Sequence, residues 1–456
     1  MTDNTISGLR INQWGVEGVH PTATLTMAVV PTANKTIIVG GVTYTFVADA
    51  DLNAKGEIAI GAGAGLVATA RTNLVAAIAG DAWNDANPAV SMAAFVANDA
   101  VLTGRVVGAT PAVTGTWTDD AGNSATAFTG GSAAHGTAVA ATSKIAIENL
   151  EWGDDDENIY RPQFANGLLL RNRGTATAVQ HGTRFSLSDQ PVVWEQIPHW
   201  LAMSIAGGVT PAWVSGATDI YRWTFTRSPL TNPLPESFTL ERRYSNGEGG
   251  TIDQRCTYAM LSKIGFSYAQ NEHLRMSAEG FARKFETNAI TGALSLPTAE
   301  LGVSALSTVY LDASWGAIGG TLLAEQVIGW DLEFGTGFAP LFTAEGRTNL
   351  DFTKAQPNAR EVMANLKLTI LLDPTTYAAE QIAAAAGTRR AIQVKVAGSG
   401  SRLLKFNGLF QHTKPALFKI GEQDGQDIVE MELEEATDET NFFSVIFEHP
   451  SVYSLA

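Results

Sequence analysis

Glu430, Glu432 and Glu434 alternate with Val429, Met431 and Leu433. In a strand this spacing sets three carboxylates on one face and three apolar side chains on the other. Aligned carboxylates are costly to bury without partners, so their face must meet water or basic groups. Asp154-Asp155-Asp156-Glu157 offers the oxygens a hard cation prefers. It lacks the alternating acids, central glycine and distal glutamate of a calcium loop, and reads as a solvated loop. Gly61-Ala62-Gly63-Ala64-Gly65 sits between a strand-like and a helix-like run, where a dinucleotide loop would lie. Leu66 takes the third glycine position, the preceding strands read as a hairpin, and no strand-end acid follows, so a flexible turn is expected. The seven histidines are scattered, and His199 beside Trp200 reads as a packed or interface residue. Gly398-Ser399-Gly400-Ser401 has the wrong spacing for a nucleophile elbow and reads as a hairpin tip. Arg171, Arg173, Arg184, Arg222 and Arg227 could contact phosphate, but on strands they are expected to face solvent or, ahead of nucleic-acid contact, to pair with acids of neighbouring subunits. The expectation is therefore a protein that is not an enzyme, with no catalytic residue, cofactor or metal site.

Composition points the same way. The chain has 456 residues, 45% hydrophobic and only 17% charged. A sparsely charged surface suits a protein that covers its exterior with copies of itself. A net charge of −16 opposes non-specific wrapping of nucleic acid, which needs Lys and Arg to displace counterions. It leaves room for a repulsive conduit. The single cysteine, Cys256, excludes an internal disulfide and a thiolate cluster, and is expected to be a buried, inert side chain. Met1-Thr2-Asp3-Asn4-Thr5 lacks the pattern of a signal peptide, and no apolar run reaches membrane-spanning length. A soluble protein made in the cytoplasm, without a membrane partner, is expected.

The elements fall into three groups, marked by a break in composition. Between Thr24 and Ala141 there are only four Lys/Arg and eight Asp/Glu, in a sequence rich in Ala, Gly, Thr and Val. Within it, Thr36–Val39 and Val42–Phe46 flank Gly40-Gly41 as a tight hairpin, and Glu57–Ile60 adds a strand. Ala68–Ala79 carries Ala70, Leu74, Ala77 and Ile78 on one helical face before Gly80. Val90–Phe95 and Val101–Val107 read as further strands, and Gly130-Gly131-Ser132 as an exit linker. From Thr142 onward, long alternating strands take over. The first group has strands at Ile145–Trp152 and Thr183–Leu187, then a helix from Pro191 to Ile205 capped by Asp189, with Pro198 as a kink or break. Strands at Tyr221–Thr226, Ser237–Arg243, Ala259–Tyr268 and Leu274–Phe285 follow. The second group repeats the plan: alternation at Ile328, Trp330, Leu332 and Phe334 and at Ala364, Leu366, Leu368 and Ile370. A helix then runs from Thr375 to Ala386 behind Asp373-Pro374, with strands at Ile392–Val396, Leu403–Phe410 and Val429–Leu433. Three units follow: residues 1–23 with 142–297, an insert at 24–141, and 298–456.

Several strings resemble those of the major tail tube proteins of siphophages, phages with long non-contractile tails. They are Trp14-Gly15-Val16-Glu17-Gly18, the run from Pro191 to Leu201 followed by Gly207-Gly208, and Tyr221-Arg222-Trp223-Thr224-Phe225. Ser262 to Ser267 and Leu274 to Gly280 resemble the hairpin that comes next in that family. Val39 to Phe46, Glu57 to Gly61 and Thr72 to Ile78 are similar to a small module recurrent in phage structural proteins. Together these strings span most of residues 11 to 285; the second half matches in pattern alone.

The resemblance implies a mainly β (α+β) fold. It implies two tandem β-sandwich, barrel-forming tail-tube domains, each with a flanking helix, and a small inserted β-rich decoration domain. It implies self-association into stacked rings around a lumen: a trimer with pseudo-sixfold symmetry for a two-domain chain, or else a hexamer. The tape measure protein and DNA would occupy the lumen, and the protein would reside in the virion tail. Glu430, Glu432 and Glu434 would then face either the lumen or outer solvent. A minor tail protein or host-binding adhesin is the alternative.

Overall fold

A computed structural model describes residues 10–18, 20–49, 52, 54–61, 66–81, 84, 86–105, 111–130, 138–145, 150–155, 157–160, 176–207, 209, 211–214, 220–227, 235–245, 250–269, 272–292, 294–295, 300–301, 307–343, 350–357, 364–413, 419–423, 425–438 and 440–450. Strands take 52% and helices 13%, so the fold is mainly β, with several sheets.

The low-charge segment packs around its own apolar cluster. Leu25, Ile37, Tyr44, Phe46, Leu74, Ile78 and Trp117 meet there, apart from the main core. One small sheet joins Thr22–Met27 to Asp99–Gly104 and Asn123–Ala125, with Val90–Met92 beyond. In the other, Thr36–Val39 and Val42–Val47 form the expected hairpin, and Gly40 and Gly41 turn with φ 56° and 85°. Positive φ at both turn positions is what this tight turn demands, and glycine supplies it without a Cβ clash. Helix α1 (Leu66–Ala79) buries Ala70, Leu74, Ala77 and Ile78 and stops at Gly80. Glu57–Ala59 forms the expected further strand and runs parallel to Val42–Val47. Ala62–Gly65 and most of the proposed exit linker lie outside the described residues.

The rest of the chain forms a far larger β network. Eight strands run side by side, each antiparallel to the next: Leu150–Asp154, Thr183–Pro191, Arg275–Ala282, Thr251–Ala269, Val327–Gly335, Ala364–Leu371, Gln426–Glu435 and Lys419–Gln423. Opposed to this layer is a second ladder: Ser307–Asp312, Arg390–Ala397, Leu403–His412, Ser444–His449, Ile220–Thr226 and Ala212–Val214. Arg10–Val16 and Phe238–Ser245 form a third, completed by the N-terminal part of Thr251–Ala269. Period-two alternation turns Phe266, Leu332, Leu366 and Met431 inward from the eight-stranded layer and Phe406, Val394, Trp223 and Phe447 inward from the other side. Phe266 and Phe406 meet at 5.0 Å between ring centroids, in one core that extends from Val16 to Phe447.

Two helices close this core. Helix α2 (Ile197–Ser204) is shorter than the Pro191–Ile205 helix read from the sequence. Strand pairing persists to Pro191, a 3-10 turn spans Trp194–Gln196, and Pro198 lies in the first helical turn, where a missing amide costs nothing. Asp189 does not cap it. Asp189 sits at φ 45° in a strand irregularity and accepts from Arg275. Helix α3 (Pro374–Ala385) follows the expectation: Asp373 Oδ2 accepts from Thr376 N at 2.8 Å, and Gly387 follows the helix with φ 62°. A small satellite cluster forms where the hairpin Phe338–Leu341/Lys354–Pro357 meets Tyr258, Met260 and Phe281, with Phe352 between them.

Candidate functional site

Glu430, Glu432 and Glu434 lie on Gln426–Glu435, where pairing with Ala364–Leu371 fixes their face. Val429, Met431 and Leu433 oppose Ile370, Leu368 and Leu366 and are buried. The glutamates oppose Thr369, Lys367 and Asn365 on the other side of the sheet. Glu432 is exposed, while Glu430 and Glu434 are half-buried. The alternation seen in the sequence therefore places the two faces as expected.

Register then extends that face across the layer. Lys367 lies opposite Asp331, and Glu333 opposite Gly265. Gly265 lies opposite Ser277, Lys263 opposite Glu279, and Glu279 opposite Ser186. The result is one hydrated face of acids, serines, threonine, asparagine and glycine over seven strands. The bases on it sit against acids: Lys263 with Glu333 at 2.7 Å, Lys367 with Glu430 at 3.3 Å, Arg275 with Asp189 at 2.8 Å, and Arg184 with Asp155 at 2.8 Å. Further acids lie on it, among them Glu151, Glu279 and Asp331. The Asp331 carboxyl is held above the ordinary aspartate range, first by partial desolvation and then by Asp189 and Glu430, with Lys367 pulling the other way. Such a face carries water and mobile cations and offers phosphate few cations not already opposed by an acid.

The remaining candidates resolve individually. Arg184, Arg222 and Arg227 pair with Asp155, Glu448 and Glu435 of the same chain. Arg171 and Arg173 lie outside the described residues, as does Asp156. No group of three or more metal-ligating side chains occurs among the described residues. His199 is buried against Phe238, and desolvation lowers its pKa to about 4. Cys256 is buried and its thiol is pushed far up by desolvation, with Glu17 adding to the shift. Gly398–Ser401 is a hairpin tip whose Ser399 N and Oγ both donate to Glu300.

Several buried carboxylates, Glu17, Glu380 and Glu195 among them, went unseen in the sequence. Glu17 accepts from Ser237 Oγ, Thr239 Oγ1 and Tyr258 N, tying the N-terminal strand to strands more than 200 residues away. Glu380 takes a forked bond from Arg390 and meets His412 Nε2 at 3.1 Å. Glu195 meets Arg402, which also reaches Glu300 and His449. No spacing announces these partnerships, because the partners come from different elements. They brace the fold. No protein-family model matches the sequence, and no curated protein matches it.

Proposed function

We propose that this chain is the structural subunit of a bacteriophage tail tube, closing into rings that stack around a DNA-conducting lumen. The observation that carries the reading is the eight-stranded layer, with one apolar face against the core, one hydrated acidic face, and two edge strands. Among the described residues, Leu150–Asp154 and Lys419–Gln423 each have one ladder neighbour. Long sheet edges seek partners, and closure into a barrel removes them.

Pairing order supports two fused tube domains. In one half, Thr183–Pro191 lies between Leu150–Asp154 and Arg275–Ala282, is followed by α2, and Arg275–Ala282 forms a hairpin with Thr251–Ala269. In the other, Ala364–Leu371 lies between Val327–Gly335 and Gln426–Glu435, is followed by α3, and Gln426–Glu435 forms a hairpin with Lys419–Gln423. Three copies of eight strands give a barrel of 24. At about 4.8 Å per strand and a tilt of about 40°, its backbone radius is about 24 Å, room for a nucleic-acid duplex. Six copies would double that radius, so the trimeric ring is the better fit. The segment 24–141, with its separate core, would decorate the outside, and the tape measure protein would fill the lumen before DNA does. The protein would belong to the virion tail, act without catalysis, and need no cofactor.

Sedimentation at rising concentration and negative-stain imaging test this. Rings or tubes are expected. A strictly monomeric species at high concentration, with no tubes on incubation, overturns the reading.

A further inference from the structure

Within the eight-stranded layer, the two halves of the chain join edge to edge at one seam. Residues 263–269 pair with 329–335, placing Phe266 opposite Leu332 and Ser267 opposite Asp331. We infer that this internal seam is the template for the contact between copies. Lys419–Gln423 of one copy pairs antiparallel with Leu150–Asp154 of a second copy, with Ile420 opposite Trp152. The inference rests on the ring reading above and adds to it which residues meet.

Register follows from hydrogen bonds that the halves share. Val192 N donates to Leu274 O at 2.8 Å, and Leu372 N donates to Asp427 O at 2.9 Å, each at the end of the strand that leads to the helix. Leu274 therefore corresponds to Asp427, and two residues on, Met276 corresponds to Val429. Phe266 lies opposite Met276 and Ile420 opposite Val429, so Ile420 stands where Phe266 stands. On the other strand, Gln190 and Ile370 oppose those same two positions. One further pair along, past an irregularity that absorbs an extra residue, Leu187 corresponds to Leu368. Leu187 opposes Leu150 and Leu368 opposes Trp330. Trp152 then stands where Leu332 stands. The seam's Phe266–Leu332 pair becomes Ile420–Trp152 between copies.

Exposure supports the same pair independently. Ile420 neighbours buried Val429 on the core side of its strand, yet is 53% exposed because it lies at the edge. Trp152, opposite buried Phe185 on the other edge, is also only partly covered. Each is an apolar side chain at a place where its counterpart in the other half is buried. On the hydrated side, the same register sets Gly421 opposite Glu151. A Cβ on Gly421 would meet Ile428 at 3.5 Å, an ordinary contact, so a side chain fits there.

Directly opposed residues of an antiparallel pair lie within disulfide reach, and the native thiol Cys256 is buried. Two full-length double variants test the register: Trp152→Cys with Ile420→Cys, and Glu151→Cys with Gly421→Cys. The second pair lies on the hydrated side, with Glu151 exposed and Gly421 half-buried, and spares the core. After mild oxidation, both are expected to give a non-reducing gel ladder that closes at three chains, while each single variant gives none. Leu150→Cys with Ile420→Cys, one pair out of register on the same face, is expected to stay uncrosslinked; preferential crosslinking there overturns the register. Rings or tubes in the microscope without crosslinks at either designed pair overturn the template while the ring reading stands. Monomers without crosslinks remove the ring reading and this inference with it.

Discussion

Glu195 and Arg402, 207 positions apart in the chain, meet at 3.4 Å. Arg402 also reaches Glu300 at 2.7 Å and donates through Nε to His449 Nε2 at 2.8 Å. Glu195 lies in the 3-10 turn before α2, Glu300 precedes Ser307–Asp312, and His449 ends Ser444–His449. One guanidinium thus holds three separate parts of the chain, which its planar fork can do and a lysine ammonium does poorly. Arg402→Ala is expected to cost about 3–5 kcal/mol in urea unfolding, because it strands a buried carboxylate. Arg402→Lys should recover only part of this. Arg184→Ala, which removes an exposed pair, should change stability by under about 1 kcal/mol.

His199 gives the fold a pH dependence. Its folded pKa is near 4 through desolvation, below the ordinary value of 6.5. Between those values the unfolded chain binds the proton and the folded chain does not, so stability rises with pH across this window. The contribution is complete above pH 6.5 and is lost as pH falls toward 4, amounting to about 3 kcal/mol. His199→Gln is expected to flatten the unfolding midpoint between pH 4 and 6.5. An unchanged slope counts against the assignment.

How much of this was legible depends on the range of the contact. Ile264, Phe266 and Tyr268 announced their strand because alternation is local, and so did Leu366, Leu368 and Ile370. Asp373 and Pro374 announced α3 because cap and first turn adjoin in sequence. The face of Glu430, Glu432 and Glu434 was legible for the same reason. Their company was not: Lys367 and Asp331 arrive through register with two other strands. Asp189 misled because a capping residue and a residue in a left-handed strand irregularity share the same chemistry. The arginines on strands were recognisable as pairing residues, but only the fold reveals that their acids belong to the same chain.

The acidic face should govern traffic of nucleic acid. Glu430→Lys, Glu432→Lys and Glu434→Lys together turn three repulsive positions into phosphate contacts. Purified wild-type protein is expected not to retain duplex DNA at moderate salt. The triple variant should bind it, with affinity falling by about 0.9 log units per log of salt for each contact made. Retention of DNA by the wild-type protein, with an equal salt slope in both, contradicts the role given to this face.

The segment with its own core should be separable. Among the described residues, its polar contacts with the remainder include Tyr221 Oη to Ala86 O at 3.2 Å and His20 Nδ1 to Gly104 O at 2.8 Å. Replacing residues 24–132 by a short Gly/Ser linker is expected to leave a soluble chain that still assembles. An insoluble or strictly monomeric product would show that the segment belongs to the assembling body.

Thr251–Ala269 runs unbroken for 19 residues, roughly 60 Å of backbone, and pairs with Phe238–Ser245 at one end and with Val327–Gly335 at the other. A load applied to either ladder therefore passes to the other through covalent bonds, not through side-chain packing alone. Tension along this strand strains many hydrogen bonds at once in shear, where unzipping would break them singly. The strand acts as a tie-rod: the layers it joins must stretch together or peel together, and cannot slide past each other.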